Sequence, residues 1–220
     1  MDPDFWLARW EAGQIGFHRD EINPLLVRHW DALGTPRGGT VFVPLCGKSR
    51  DMAWLAARGH RVVGVELSPL AVRDFFAEHG LEPRVERGRV HVRHEAEGIT
   101  LLLGDYFDLE PDDLGPVAAV YDRAALIALP QAMRPRYAAH MARLAPGVPI
   151  LLITLEYPED EMEGPPFSVS PDEVAALYGS QWEMTPLAAM PVLDENPHLR
   201  EKGLSALTEH VLALRPKRAY

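Results

Sequence analysis

Cysteine is nearly missing from this 220-residue chain: Cys46 stands alone, so no internal disulfide can form. No Cys/His cluster has zinc-ligand spacing, and none of the nine histidines falls in an H-E-x-x-H pattern, so no metal is expected. A lone thiol suits a reducing, cytoplasmic setting. Long apolar runs are missing too. Val148–Leu155 and Ala124–Leu129 fall far short of the ~20 residues that cross a bilayer, so no membrane partner is expected. The opening MDPDFWLARWE has neither the basic stretch nor the apolar core of a secretory signal. Positive charge is in deficit, with 22 Lys and Arg against 32 Asp and Glu, a net of −10. The basic residues are scattered, whereas nucleic-acid binders draw most of their affinity from clustered cations on phosphate, so no nucleic acid is expected. A small-molecule partner and a monomeric chain are the expectation.

What is present reads as one domain over 1–220, with an N-terminal helical cap over 1–33 and an α/β core over 40–214. Trp6 and Trp10 lie one helical turn apart, and Leu26, Trp30 and Leu33 repeat that spacing. Gly34-Thr-Pro-Arg-Gly-Gly39 breaks the pattern. Strands are predicted at Thr40–Leu45 and Arg61–Glu66, with a helix over Arg50–Arg58 between them. Ser68-Pro69 supplies an N-cap and a first-turn proline for the next helix, which Gly80 closes. Alternation at Val90, Val92, Ile99, Leu101 and Leu103 predicts an added hairpin leading into a third core strand. Val117–Tyr121 and Val148–Leu155 follow as strands around a helix near Met133–Leu144. A Pro-rich loop, Tyr157–Phe167, precedes a helix near Asp172–Tyr178, and Trp182–Leu187 and Ser205–Leu214 supply two last strands. Twenty prolines in 220 residues are about 9% against a usual ~5%; they cluster at element ends and set turns. The alternation predicts a doubly wound, mostly parallel, seven-stranded sheet with helices on both faces and an antiparallel final pair.

In such a sheet, ligands bind beyond the carboxyl ends of the strands, where strand order reverses. The loop Pro44-Leu45-Cys46-Gly47-Lys48-Ser49 leaves the first strand, and the second ends about 20 residues later in Glu66. A carboxylate there can accept both hydroxyls of a ribose, each charge-assisted bond contributing ~1.5–3 kcal/mol. Gly47 has no Cβ, so backbone can approach a ligand closely. The loop is not G-x-G-x-x-G, which argues against a bound pyrophosphate. Gly47-Lys48-Ser49 resembles the tail of a phosphate-binding loop, but the glycine such a loop needs at position 42 is Phe42. Cys46 has no histidine placed to activate it and reads as a small buried filler.

The string VPLCGKSRDMAWLAARGHRVVGVELSPLAV resembles the thiopurine S-methyltransferase family of class I S-adenosyl-L-methionine-dependent methyltransferases. The opening FWLARWEAGQIGFH, the segment LLLGDYFDL, the run YDRAALIAL and the loop GPPFSV match it in order, from Phe5 to Phe167. The resemblance implies S-adenosyl-L-methionine as methyl donor and a small thiol, thiopurine or other aryl or heterocyclic thiol, as acceptor; selenium or tellurium species are further acceptors in bacterial relatives. It implies donor contacts from Trp10, Leu45, Glu66 and Arg123, with Asp105 and Tyr106 holding the adenine. Gly47 sits in the same donor loop. Arg123 pairs with the donor carboxylate or faces the acceptor, and Asp122 is the weaker candidate base. Phe17, Pro166 and Phe167 are implied as acceptor lining, and Arg200 as the group meeting an anionic acceptor.

Blander readings stand beside these. Trp10 at helical spacing from Trp6 suits a core residue, Arg123 an ion-pair partner of Asp122 or a surface acid, and Asp105 a turn cap after Gly104. Rival functions are a phosphotransferase built on Gly47-Lys48-Ser49, a non-catalytic module that senses the donor, and a methyltransferase for an oxygen or nitrogen acceptor.

Overall fold

The computed structural model describes residues 3–217. Two units emerge, Met1–Tyr121 and Asp122–Tyr220. In the first, α1 (Pro3–Glu11) buries Trp10. Asn23 caps α2 (Pro24–His29) by accepting the Leu25 amide at 2.8 Å. That helix runs on into a 3₁₀ turn, so Leu26, Trp30 and Leu33 all face inward. The indole of Trp30 donates to His60 Nε2 at 3.1 Å, which satisfies an N–H that would otherwise be buried without a partner.

β1 (Thr40–Val43) is buried throughout, as a strand covered on both faces must be. α3 (Asp51–Ala57) carries the chain to β2 (Arg61–Glu66), which lies parallel to β1 with Val43 opposite Gly64. Ser68 caps α4 (Pro69–Glu78) by accepting the Ala71 amide, and Pro69 fills the first turn, where no N–H is needed. The hairpin β3 (Arg84–Arg87) and β4 (Val92–Ala96) leads to β5 (Ile99–Leu103), parallel to β2. After the short helix α5 (Pro111–Leu114), β6 (Val117–Arg123) returns to the other side of β1. Strand order within this unit is therefore β3-β4-β5-β2-β1-β6, and the order reverses at β1.

In the second unit, α6 (Arg134–Leu144) precedes β7 (Ile150–Glu156). Ser170 caps α7 (Pro171–Tyr178). β8 (Trp182–Pro191), the short helix α8 (Pro197–Glu201) and β9 (Thr208–Pro216) complete it. β9 lies antiparallel to both β7 and β8, and the pair β8 and β9 is the antiparallel final pair that the sequence predicts.

The expected α/β class holds, with one correction. Nine strands form among the described residues where seven were expected, because β4 pairs antiparallel along β5 and brings β3 into the sheet as an edge. Val90, expected on the hairpin's apolar alternation, lies in its turn and is half exposed. β8 runs four residues past the expected Leu187. The pairing slips between Pro186 and Ala188, and this edge strand tolerates a proline that cannot donate. No helix among the described residues is long and apolar enough to cross a membrane.

Gly64 in β2 is required by packing. A Cβ there would lie 2.6 Å from Cys46 Sγ and 2.9 Å from Leu101 Cδ2. Gly64→Ala should cost about 1–3 kcal/mol in urea unfolding, as overpacking usually does, and Cys46→Ala in the same chain should recover part of the loss. A Gly64→Ala protein as stable as the parent would contradict this packing.

Candidate functional site

The reversal of strand order at β1 directs attention to the loop that leaves it, and Glu66 holds that loop. Its Oε2 accepts the Gly47 amide and its Oε1 the Ser68 amide, each at 2.8 Å. One carboxylate thus ties the end of β2 to the loop after β1. Burial raises the Glu66 pKa, and the amides of Ser68, Gly47 and Leu67 oppose that rise by favouring the anion. A carboxylate has about four lone-pair positions, so the bonds from the Gly47 and Ser68 amides leave capacity for a ligand hydroxyl.

The loop is conformationally costly. Gly47 sits at φ 55°, and Leu45 adopts φ 45° although it is not glycine, a strain of ~1–3 kcal/mol that clusters at functional sites. Trp10 covers the loop: a Cβ on Gly47 would lie 3.4 Å from its ring. Phe17 packs edge-on against Trp10 at 5.5 Å and against Trp6 at 5.7 Å. Lys48 reaches α4 through an ion pair with Glu78 at 2.5 Å. Cys46 is buried, and desolvation together with the Glu66 charge pushes its thiol well above the usual value, so it is not a nucleophile at neutral pH.

After β5, Asp105 accepts the Phe107 amide at 2.8 Å and caps a 3₁₀ turn, the blander of its two readings. The Tyr106 ring turns inward and stacks on Phe42 at 6.4 Å, whereas Phe107 stays half-buried. Two supporting residues carried no sequence signal. His91 packs its ring where a Gly104 Cβ would stand and bonds the Asp105 carbonyl at 2.9 Å. Asp51, buried at the start of α3, accepts the Asn23 amide at 2.8 Å and the Tyr121 hydroxyl at 2.9 Å.

In the second unit, Asp122 is buried and accepts the Tyr137 hydroxyl at 2.7 Å and the Leu126 amide at 3.3 Å. Arg123 ends β6 half-buried and makes no ion pair or hydrogen bond among the described residues, with Asp122 or any other acid. The next residue, Ala124, takes φ 63°. Phe167 is half-buried, its amide donates to the Ile127 carbonyl at 2.7 Å, and the Arg134 guanidinium lies 5.9 Å from its ring. Tyr157 donates to the Pro166 carbonyl at 2.6 Å. Arg200 is exposed and pairs with Asp194. No group of three or more His, Cys, Asp or Glu among the described residues could hold a metal ion.

A donor loop closed by a carboxylate, without the glycine triad that cradles a pyrophosphate, on a mostly parallel sheet, belongs to the class I S-adenosyl-L-methionine-dependent methyltransferases. The fold agrees: 1,6-didemethyltoxoflavin-N1-methyltransferase of Burkholderia thailandensis, solved with S-adenosylhomocysteine bound, is similar at TM-score 0.64 and 18% identity, over 98% of this chain and 87% of that one. The chain belongs to the thiopurine S-methyltransferase (TPMT) family, whose model matches residues 1–217. It is 52% identical over 215 residues to the thiopurine S-methyltransferase of Xanthomonas campestris pv. campestris (strain 8004), covering 97% of this chain and 99% of that protein. The corresponding protein of Nitrosospira multiformis is 50% identical over 220 residues, the full length of both. The protein is accordingly a methyltransferase that uses S-adenosyl-L-methionine.

Asp122 generates a pH prediction. Burial raises its pKa from 3.8 to about 6 against the opposing bonds from Tyr137 and Leu126. The folded state therefore holds the proton more tightly than the unfolded one. This contribution is full below about 3.8 and is lost as pH rises through about 6. Over that window Asp122→Asn should gain up to about 3 kcal/mol on the parent, read from urea unfolding at several pH values. A pH-independent difference between the two proteins would contradict it.

Proposed function

We propose that this methyltransferase transfers its methyl group to the sulfur of a small thiol, a thiopurine or another aryl or heterocyclic thiol. Selenium and tellurium nucleophiles belong to the same soft class. The observation that carries the reading is Arg123, a half-buried cation without a protein partner among the described residues, at the carboxyl end of a strand. A cation there suits either the carboxylate of the donor or a thiolate. The names of the relatives support the sulfur acceptor.

The first unit supplies the donor residues. Glu66 accepts the ribose hydroxyls on its remaining lone pairs, Leu45 and Gly47 present backbone, and Trp10 covers the loop. Asp105 takes the adenine amine. Tyr106 acts from the core by supporting that turn, and Phe107 offers the accessible ring. The donor brings an electrophilic sulfonium methyl group, so for an acceptor that arrives as its thiolate the residues of this chain need only bind, orient and exclude water; well-oriented intramolecular models gain ~7–11 kcal/mol from positioning alone. In the second unit, Pro166 and Phe167 offer an apolar face to a flat acceptor. Arg200, occupied by Asp194 at the surface, would have to leave that pair to meet an anionic one. The chain acts as a cytoplasmic monomer in this reading.

Incubation with labelled S-adenosyl-L-methionine and a panel of thiol, selenium, oxygen and nitrogen acceptors should label acidic aryl thiols first. Transfer confined to oxygen or nitrogen acceptors, or donor binding without turnover, would overturn the proposal. Glu66→Ala should weaken donor affinity by at least about tenfold in calorimetry, since each charge-assisted bond contributes ~1.5–3 kcal/mol; unchanged affinity removes it from the ribose. Arg123→Ala should lower turnover, and wild-type rates would rule out its placement.

A further inference from the structure

A thiol reacts as its thiolate, so a weakly acidic acceptor has to give up a proton at the site. Asp122 is ill suited to take it, because its side chain is buried, held from within by the Tyr137 hydroxyl and the Leu126 amide. The second unit contains another pair with the build of a base. His210 of β9 stands in register opposite Thr154 of β7, and Glu156, two residues on, shares that face of the sheet. His210 Nε2 lies 2.7 Å from Glu156 Oε2. A carboxylate can only accept, so Nε2 carries the hydrogen, and in the neutral imidazole the free lone pair is then on Nδ1. The hydrogen bond that His210 makes through its ring among the described residues is this one, at Nε2. The imidazole is largely covered, at 11% exposure, while Glu156 is 43% exposed. On the other side of His210 the register sets Ala189 of β8, so Glu156 is the ionisable group that the adjoining strands place on its face.

The location suits an acceptor. Glu156 is the last residue of β7, at the carboxyl end of a strand, where ligands of such sheets bind. The Pro-rich loop leaves from there and is fastened back to the same place. Ser168 Oγ accepts the Tyr157 amide at 3.0 Å and donates to the Tyr157 carbonyl at 2.8 Å, and the Val169 amide donates to the Leu155 carbonyl at 2.7 Å. Pro166 and Phe167 therefore return to the strand end that carries the pair.

We propose that His210, oriented by Glu156, is the base that removes the proton from the acceptor thiol. The inference rests on the sulfur acceptor proposed above. The S–H proton passes to Nδ1, while the Nε2 hydrogen stays on its bond to Glu156. The sulfur pair forms the new S–CH₃ bond as the methyl–sulfonium bond breaks, leaving its electrons on the sulfur of S-adenosylhomocysteine. The imidazolium then returns its proton to water. His210 is the catalytic group, and Glu156 is a positioning residue.

The test compares two acceptors in the intact enzyme: an aryl thiol already ionised at the assay pH, and 2-mercaptoethanol, which is mostly protonated there. In His210→Gln, kcat for 2-mercaptoethanol should fall at least about tenfold, general-base contributions running ~10²–10⁴, while kcat for the aryl thiol stays within about twofold and the donor KM is unchanged. Glu156→Gln, at a more exposed position, should show the same selectivity with a smaller loss, and decides the matter if His210→Gln fails to fold. Equal losses on both thiols, or no loss on 2-mercaptoethanol, overturn the step alone. A wild-type enzyme that methylates neither thiol overturns the sulfur reading and the step together.

Discussion

A buried carboxylate that must find donors is the constraint on which the first unit turns. Glu66 lies at the end of a strand enclosed on both faces, where an unbonded charge would be costly. It finds its donors in the amides of Gly47 and Ser68, one from the loop after β1 and one from the cap of α4. Those two bonds set the shape of the loop, and the loop shape lets Leu45 and Gly47 hold left-handed conformations. Since two amides do not exhaust a carboxylate, the group that organises the loop keeps capacity for a ligand. Structure and recognition are the same interaction here.

Around that centre the packing is exclusive. Gly64 leaves space for the Cys46 side chain, Gly104 for the His91 ring, and Gly47 for backbone beneath Trp10. Cys46, the residue that most invites a covalent mechanism, is disarmed by its own burial and by the Glu66 charge. In the second unit Asp122 has a comparable structural position: Tyr137 and Leu126 hold its carboxylate where burial favours its protonated form. Its neighbour Arg123 is left without an internal partner among the described residues.

Local chemistry made much of the fold legible beforehand. Ser68 before Pro69 marked the start of α4 because cap and first-turn proline act within one turn. Glu66 followed from its distance along the chain from Gly47, since strand, helix and strand have nearly fixed lengths. Long-range placement was less legible. The added hairpin was read from its alternation, but not that β4 would turn at Glu97-Gly98, pair along β5 and so carry β3 into the sheet. Asp105 is both turn cap and site candidate, and alternation cannot show that Tyr106 turns inward while Phe107 does not. His210 and Glu156 are 54 residues apart and meet only through the register of β7 with β9.

The central claim, that Glu66 organises the loop after β1 and receives the donor's sugar, is tested most directly by a crystal structure with S-adenosylhomocysteine bound. The account predicts both ribose hydroxyls within about 2.6–3.2 Å of the Glu66 oxygens, with the bonds from the Gly47 and Ser68 amides intact. A sugar bound elsewhere, or a Glu66 that must give up those amides to reach it, would contradict the account.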